Sequence, residues 1–263
     1  TAPSGQSGNI QFSAIQQTQM DISWTRPDAS VQGDYCLVLA SSSANPDTDP
    51  SDNTTYTFDT DFTSSTSSVI GNAKVVYKGT SNSFTLTGLT AGQTYYYRVY
   101  EFNGSGGAEQ YNTSTATGNP ANSTTLKNAP ANQADNITFS NVTASSMAIS
   151  WSNGDGENRI VIARATNPVN QSPQNGETYT ANSVFGSGDE IGTGNFVVYD
   201  GSGSSATITG LTAGTTYHYK VFEYNNSGSN TKYNINDDTD NPNSQATLKN
   251  EPSEHVTNFA SGT

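Results

Sequence analysis

Thr87–Asn103, TGLTAGQTYYYRVYEFN, and Thr209–Asn225, TGLTAGTTYHYKVFEYN, are near copies, 122 residues apart from Leu89 to Leu211. TLKN at 125–128 returns at 247–250 with the same offset. A repeat this long is a whole small domain rather than one turn of a solenoid. The 263 residues therefore read as two domains, 1–127 and 128–250. In each copied stretch, Tyr95, Tyr97 and Val99, or Tyr217, Tyr219 and Val221, alternate with more polar neighbours, which is the period of a half-buried strand. Recurrence also sorts residues. Those kept in both copies are assigned to the fold, and those that differ are free for function.

The same alternation extends through the rest of each copy. Met20, Ile22 and Trp24 share one face of MDISW, as Met147, Ile149 and Trp151 do in MAISW, so the chain's two Met and two Trp are placed one per copy at matching core positions. Ile10 with Phe12, Ile137 with Phe139, Phe84 with Leu86, and Ile208 continue the pattern, and no helical period interrupts it. The fold class is all-β. With 14 Tyr, 10 Phe and 2 Trp the chain can fill a thin core despite only 13% charged residues. A net charge of -13 argues against nucleic acid and anionic membranes as partners and leaves cations or neutral polymers. The single Cys36 cannot form a disulfide within the chain and reads as a small buried apolar residue; with two His there is no zinc-ligand set. No run approaches the ~20 apolar residues that cross a bilayer. Residues 251–263 resemble the linker and opening strand of a third copy, so the sequence reads as part of a longer, secreted or cell-surface protein.

These residues resemble the fibronectin type III domain. The resemblance rests on Ser23-Trp24 and Ser150-Trp151 and on G-L-T-A-G-x-T-Y-x-Y-x-V, and it covers nearly all of both copies. It implies two tandem immunoglobulin-like sandwiches, each with sheets ABE and C′CFG, in which Leu89 packs on Tyr95 and Leu211 on Tyr217 while the tyrosine hydroxyl ties the corner to the backbone. The YEFN and FEYN endings of strand F are similar to tandem modules of large secreted bacterial proteins. Each copy exceeds the ~100 residues usual for such sandwiches. The excess falls between strand C, at 35–40 and 159–164, and strand C′, at 75–77 and 197–199. Loops of that length are functional, self-structured or disordered. Both carry Pro-x₅-Tyr (Pro50 to Tyr56, Pro173 to Tyr179) and then Phe62 or Phe185, shared anchors that predict an ordered flap.

Candidate chemistry is sparse. There is no nucleophile elbow, zincin motif or phosphate loop, and neither His218 nor His255 has an evident partner, so no enzyme and no required cofactor is expected. Asp47, Asp49, Asp52, Asp59 and Asp61 crowd the first flap without a basic residue among them, a way to gather hard oxygen ligands for calcium, though the spacing is not that of an EF-hand and a solvated acidic loop is the plainer reading. A second acidic run, Asp237, Asp238 and Asp240, follows strand F of the second copy. Glu101 and Glu223 share the parity of the inward tyrosines, and a buried carboxylate needs hydrogen bonds or a cation. Arg159 and Arg164 could serve copy two, while Tyr35 and Ala40 cannot serve copy one. Tyr56, Phe58, Phe62, Tyr179 and Phe185, then Tyr111 and Tyr233, are candidates for stacking on sugar rings. The bland alternative is that they pin their own loops. Phe58, replaced by Ala181, is the sharpest candidate. The expected role is a monomeric, non-catalytic spacer or tether for neighbouring domains, with a polysaccharide or cell-surface ligand. The alternatives are a dedicated carbohydrate-binding module of a polysaccharide-degrading enzyme or an adhesin fragment binding a protein.

Overall fold

A computed structural model describes residues 1–251. The expected third repeat, with His255, lies outside the described residues. The chain divides after Asn128 into two compact units.

Unit one runs β1 (Gly8–Ser13), β2 (Met20–Thr25), β3 (Tyr35–Ser41), β4 (Val69–Ile70), β5 (Ala73–Gly79), β6 (Ser83–Leu86), β7 (Thr94–Asn103), β8 (Gln110–Tyr111) and β9 (Ala121–Thr124). One sheet has the order β1-β2-β6; the other has β4-β5-β3-β7-β8, with β9 also paired to β7. Unit two repeats this with β10 (Asp135–Ser140), β11 (Met147–Ser152), β12 (Asn158–Ala165), β13 (Asn195–Gly201), β14 (Ser205–Ile208), β15 (Thr216–Asn225), β16 (Lys232–Tyr233) and β17 (Asn243–Ala246). Its sheets are β10-β11-β14 and β13-β12-β15-β16, with β17 on β15. All pairings between these strands are antiparallel. This is the fibronectin type III sandwich, twice.

The alternation seen in the sequence fills the space between the sheets. Trp24, Leu89 and Tyr95 in unit one, and Trp151, Leu211 and Tyr217 in unit two, are buried there. The tyrosine hydroxyl accepts the Thr90 amide at 2.9 Å in unit one and the Thr212 amide at 2.9 Å in unit two, which satisfies a backbone donor at the turn into β7 or β15.

The larger sheet departs from a simple sandwich. Cys36 through Ser41 are buried without interruption along β3, so both faces of that strand are covered, as a continuous apolar run requires. Its outward face carries Leu37 and Leu39, joined by Ile70, Val75, Tyr100, Phe102 and Tyr111 in a second core, with Tyr56 packed against it. Ile160, Ile162, Val197, Phe222 and Tyr233 form the same layer in unit two, with Tyr179 against it. The cover is the long connection between β3 and β4, or between β12 and β13. Leu39→Ala, on the face that a bare sandwich would leave wet, is expected to cost unit one about 2–4 kcal/mol in urea unfolding, as a core truncation does; a loss under about 0.5 kcal/mol would place Leu39 at a solvated surface.

Candidate functional site

Glu101 on β7 and Glu223 on β15 are fully buried. In unit one, Arg26, just past β2, donates from Nε to Oε1 at 3.0 Å and from Nη2 to Oε2 at 2.6 Å. Ser7 Oγ and the Gly33 amide add donors at 2.5 and 2.9 Å. In unit two, Arg159 donates from Nε at 2.8 Å and Nη2 at 3.1 Å, and the Gly154 and Gly156 amides bind at 3.0 and 3.1 Å. Each carboxylate thus has a two-pronged guanidinium and two further donors, a hydroxyl and an amide for Glu101 and two amides for Glu223, the satisfaction a buried charge demands. The arginines come from different places, Arg26 from just after β2 and Arg159 from β12. Arg159 faces Glu223 in the ladder where Cys36 faces Glu101, while Asn153, two residues after Trp151, stands where Arg26 follows Trp24. The expectation of a cation for copy two alone is therefore corrected by Arg26, and Arg164 does not reach Glu223 but donates to the Pro168 carbonyl at 3.0 Å. Burial opposes ionisation of Glu101, but Arg26, Ser7 and Gly33 outweigh it and hold its pKa below the ordinary value. Cys36, desolvated and beside that carboxylate, is pushed up to about 12, an inert thiol.

The five aspartates of the first flap do not converge. Asp47 accepts from the Asn72 amide at 3.1 Å, and Asp52 from the Tyr111 amide at 2.8 Å. Asp49 accepts from the Tyr100 hydroxyl at 3.0 Å and pairs with Arg98 Nη1 at 2.8 Å, so a base does neutralise it. Asp59 receives the Asp61 amide at 3.0 Å, and Asp61 the Thr63 amide at 2.9 Å. Asp59 and Asp61 close successive turns of the loop, the work short acidic side chains do well, while Asp47, Asp49 and Asp52 tie the flap to Asn72, to Arg98 and Tyr100, and to Tyr111. Among the described residues no group of three or more His, Cys, Asp or Glu comes together in a way that could hold a metal ion. In the other acidic run Asp237 pairs with Lys220.

The aromatic candidates separate into anchors and one open site. Phe62 meets Tyr95 edge-on at 5.0 Å and Phe185 meets Tyr217 at 5.0 Å, pinning each flap to the tyrosine corner. Tyr111 and Tyr233 are buried in the outer cores, and their hydroxyls donate to Thr54 and Glu177 carbonyls within the flaps, so they are not surface rings. The Pro-x₅-Tyr spacing brings the Tyr56 and Tyr179 hydroxyls back onto the Ser51 and Gln174 amides at 3.0 Å each. Phe58 stays 42% exposed. With Tyr35, Tyr56, Thr57, Lys78 and Gly79 it lines an open groove of about 450 Å³ between flap and sheet. Tyr35 is held by stacking on Phe102 at 5.4 Å, and Phe58 rests on Tyr77 at 6.0 Å.

Strand register identifies the corresponding positions of unit two. Tyr35 pairs with Phe102 as Asn158 pairs with Tyr224, and Lys78 opposes Leu37 as Asp200 opposes Ile160. With Ala181 for Phe58, three of the six lining positions change chemical class while the core beneath is kept. Sequence reasoning singled out Phe58 and Tyr56 but missed Tyr35 and Lys78, whose strand neighbours only the register reveals. It also missed Gln6 and Gln133, which accept the Glu101 and Glu223 amides at 2.9 and 2.8 Å, and Asn119 and Asn241, which accept the Val99 and Val221 amides at 3.1 and 3.0 Å. Their recurrence in both copies was the available signal.

The strand order of both units defines a tandem of fibronectin type III sandwiches. The family model described as the purple acid phosphatase N-terminal domain matches twice, over residues 6–119 and 133–250, and the chain belongs to that family. Among solved structures it is similar to a two-domain fibronectin type III segment of chicken tenascin (18% identity, 93% of this chain and 99% of that one, TM-score 0.30). It is also similar to the FN1-FN3 domains of chicken CNTN1 (13% identity, 95% of this chain and 67% of that one, TM-score 0.42). No curated protein matches.

Removing Arg26 strands a buried charge, so Arg26→Ala is expected to cost unit one about 3 kcal/mol. The pair Arg26→Asn with Cys36→Arg, which recreates the arrangement of unit two, should recover most of it in urea unfolding; no recovery would show that the arginine must come from β2. Because the folded pKa of Glu101 lies below its unfolded value near 4.5, its stabilisation is complete above that value and is lost as pH falls through the folded one. Glu101→Gln should lower stability at neutral pH and flatten the acid limb of the urea midpoint; an unchanged limb would contradict the assignment.

Proposed function

We propose that these two units form a non-catalytic spacer segment of a larger secreted or cell-surface protein, holding neighbouring domains, and that unit one adds a contact with a polysaccharide. The observation that carries the contact is the groove. Two rings with a fixed pose, Tyr35 and the 42% exposed Phe58, stand at a flap margin of unit one, at positions where unit two has Asn158 and Ala181. A sugar ring offers an apolar face to such rings and hydroxyls to the polar groups between them. The spacer role draws support from membership in a family named for an N-terminal domain, a part that accompanies others. In keeping with it, among the described residues no helix is long and apolar enough to cross a membrane.

Native gels cast with a panel of polysaccharides, with and without calcium, test the reading. Retardation of the chain that Tyr56→Ala or Phe58→Ala abolishes is the expected result. Unchanged mobility in every gel would leave the spacer role alone, and retardation only with calcium, lost in Asp47→Asn or Asp59→Asn, would move the contact to the acidic side of the flap.

A further inference from the structure

The charge of the groove selects among polysaccharides, an inference that rests on reading it as a polysaccharide contact. Lys78 is the cation on its lining. Its Nζ lies 3.6 Å from Oε1 of Glu109, whose side chain is fully buried, and 5.6 Å from the Phe102 ring centre. Glu109 is fixed from below: the Thr55 hydroxyl donates to Oε1 at 2.5 Å and the Gly107 amide to Oε2 at 2.9 Å. The positive charge at the groove is thus matched by a carboxylate already inside the protein, and an incoming anion would meet no uncompensated cation. It would also approach a chain of net charge -13, which repels polyanions over a Debye length.

Neutral hydroxyls meet no such penalty. An ammonium has three N–H donors, and one carboxylate does not consume them all. Tyr35 and Phe58 already lean on Phe102 and Tyr77, so stacking a sugar on them costs little further ordering. Unit two supplies the internal control. Lys78 and Glu109 change together there, to Asp200 and Thr231, as the shared pairing of Asn53 with Glu109 and Gly176 with Thr231 shows. Asp200 then accepts the Tyr224 hydroxyl at 2.7 Å. The pair behaves as one polar device, present only with the aromatic lining.

We propose that the unit-one groove binds a neutral polysaccharide, with Tyr35, Tyr56 and Phe58 against sugar faces and Lys78 donating to hydroxyls, and that it rejects uronate-bearing or sulfated chains. The test uses the full chain in native gels cast with galactomannan, arabinoxylan, hydroxyethyl cellulose or laminarin, and in parallel with polygalacturonate, alginate or dextran sulfate, at low salt and at about 0.5 M NaCl, where exposed charges are screened. The expected result is retardation in at least one neutral gel, little changed by salt and weakened about tenfold or more by Phe58→Ala and by Tyr35→Asn. Both variants carry residues that unit two holds at those positions, and a thermal melt of each confirms folding. Retardation by the acidic polymers that depends on Phe58 and disappears in salt would overturn neutral selectivity while leaving the polysaccharide contact standing. No retardation in any gel would overturn both. Retardation in a neutral gel that survives both substitutions would remove the groove from the account.

Discussion

The larger sheet of each unit must be covered on both faces, and the rest of the structure follows from that requirement. β3 and β12 present apolar side chains inward and outward alike, and a sandwich partner can cover one side only. The long connection after each strand closes the other, making a third layer over Leu37, Leu39, Val75 and Phe102 in unit one. Burying such side chains contributes about 1.5–3 kcal/mol each, enough to offset ordering a flap whose turns are already closed by side-chain hydrogen bonds. The groove lies between that layer and the sheet it covers. There Tyr56, Thr57 and Phe58 of the flap stand beside Tyr35, Lys78 and Gly79 of the sheet.

The buried glutamates make a second point about constraint. What both units keep is a carboxylate on the F-position strand with two guanidinium donors and at least one loop amide; what they do not keep is the residue that delivers the guanidinium. Arg26 and Arg159 reach the same place from opposite sheets, one from the end of β2 and the other from β12 beside the carboxylate, because the cost of an unpaired buried charge is large and the route of the cation is indifferent to it. Conservation between copies thus attaches to the interaction rather than to the position.

This explains which parts were legible in the sequence. Alternation at Met20–Trp24 and Tyr95–Val99, and their copies, gave strands, inward faces and the tyrosine corner, since period-two burial is local. The flap anchors were legible too: Pro50 with Tyr56, and Phe62, recur at fixed spacing. The partners of the acidic flap were not: the plainer reading was a solvated loop, whereas Asp47, Asp49 and Asp52 are tied to Asn72, to Tyr100 and Arg98, and to Tyr111, all distant in sequence. Arg26 was missed because it reaches Glu101 across the sandwich from the opposite sheet, and the wall that Tyr35 and Lys78 add to the groove was missed because it depends on strand register, a property of the pairing rather than of either segment.

Backbone hydrogen exchange tests the covering layer most directly. The Asn53 amide donates to the Glu109 carbonyl at 2.7 Å and Phe62 to Thr87 at 2.9 Å, and in unit two Gly176 donates to Thr231 and Phe185 to Thr209, both at 2.9 Å. If the flaps are integral layers, these four amides exchange slowly, within about an order of magnitude of the β3 and β12 amides. Complete exchange of residues 42–68 and 166–194 at the earliest time point, with β7 and β15 still protected, would show flaps that are loose loops and a sheet whose outer face is open to water.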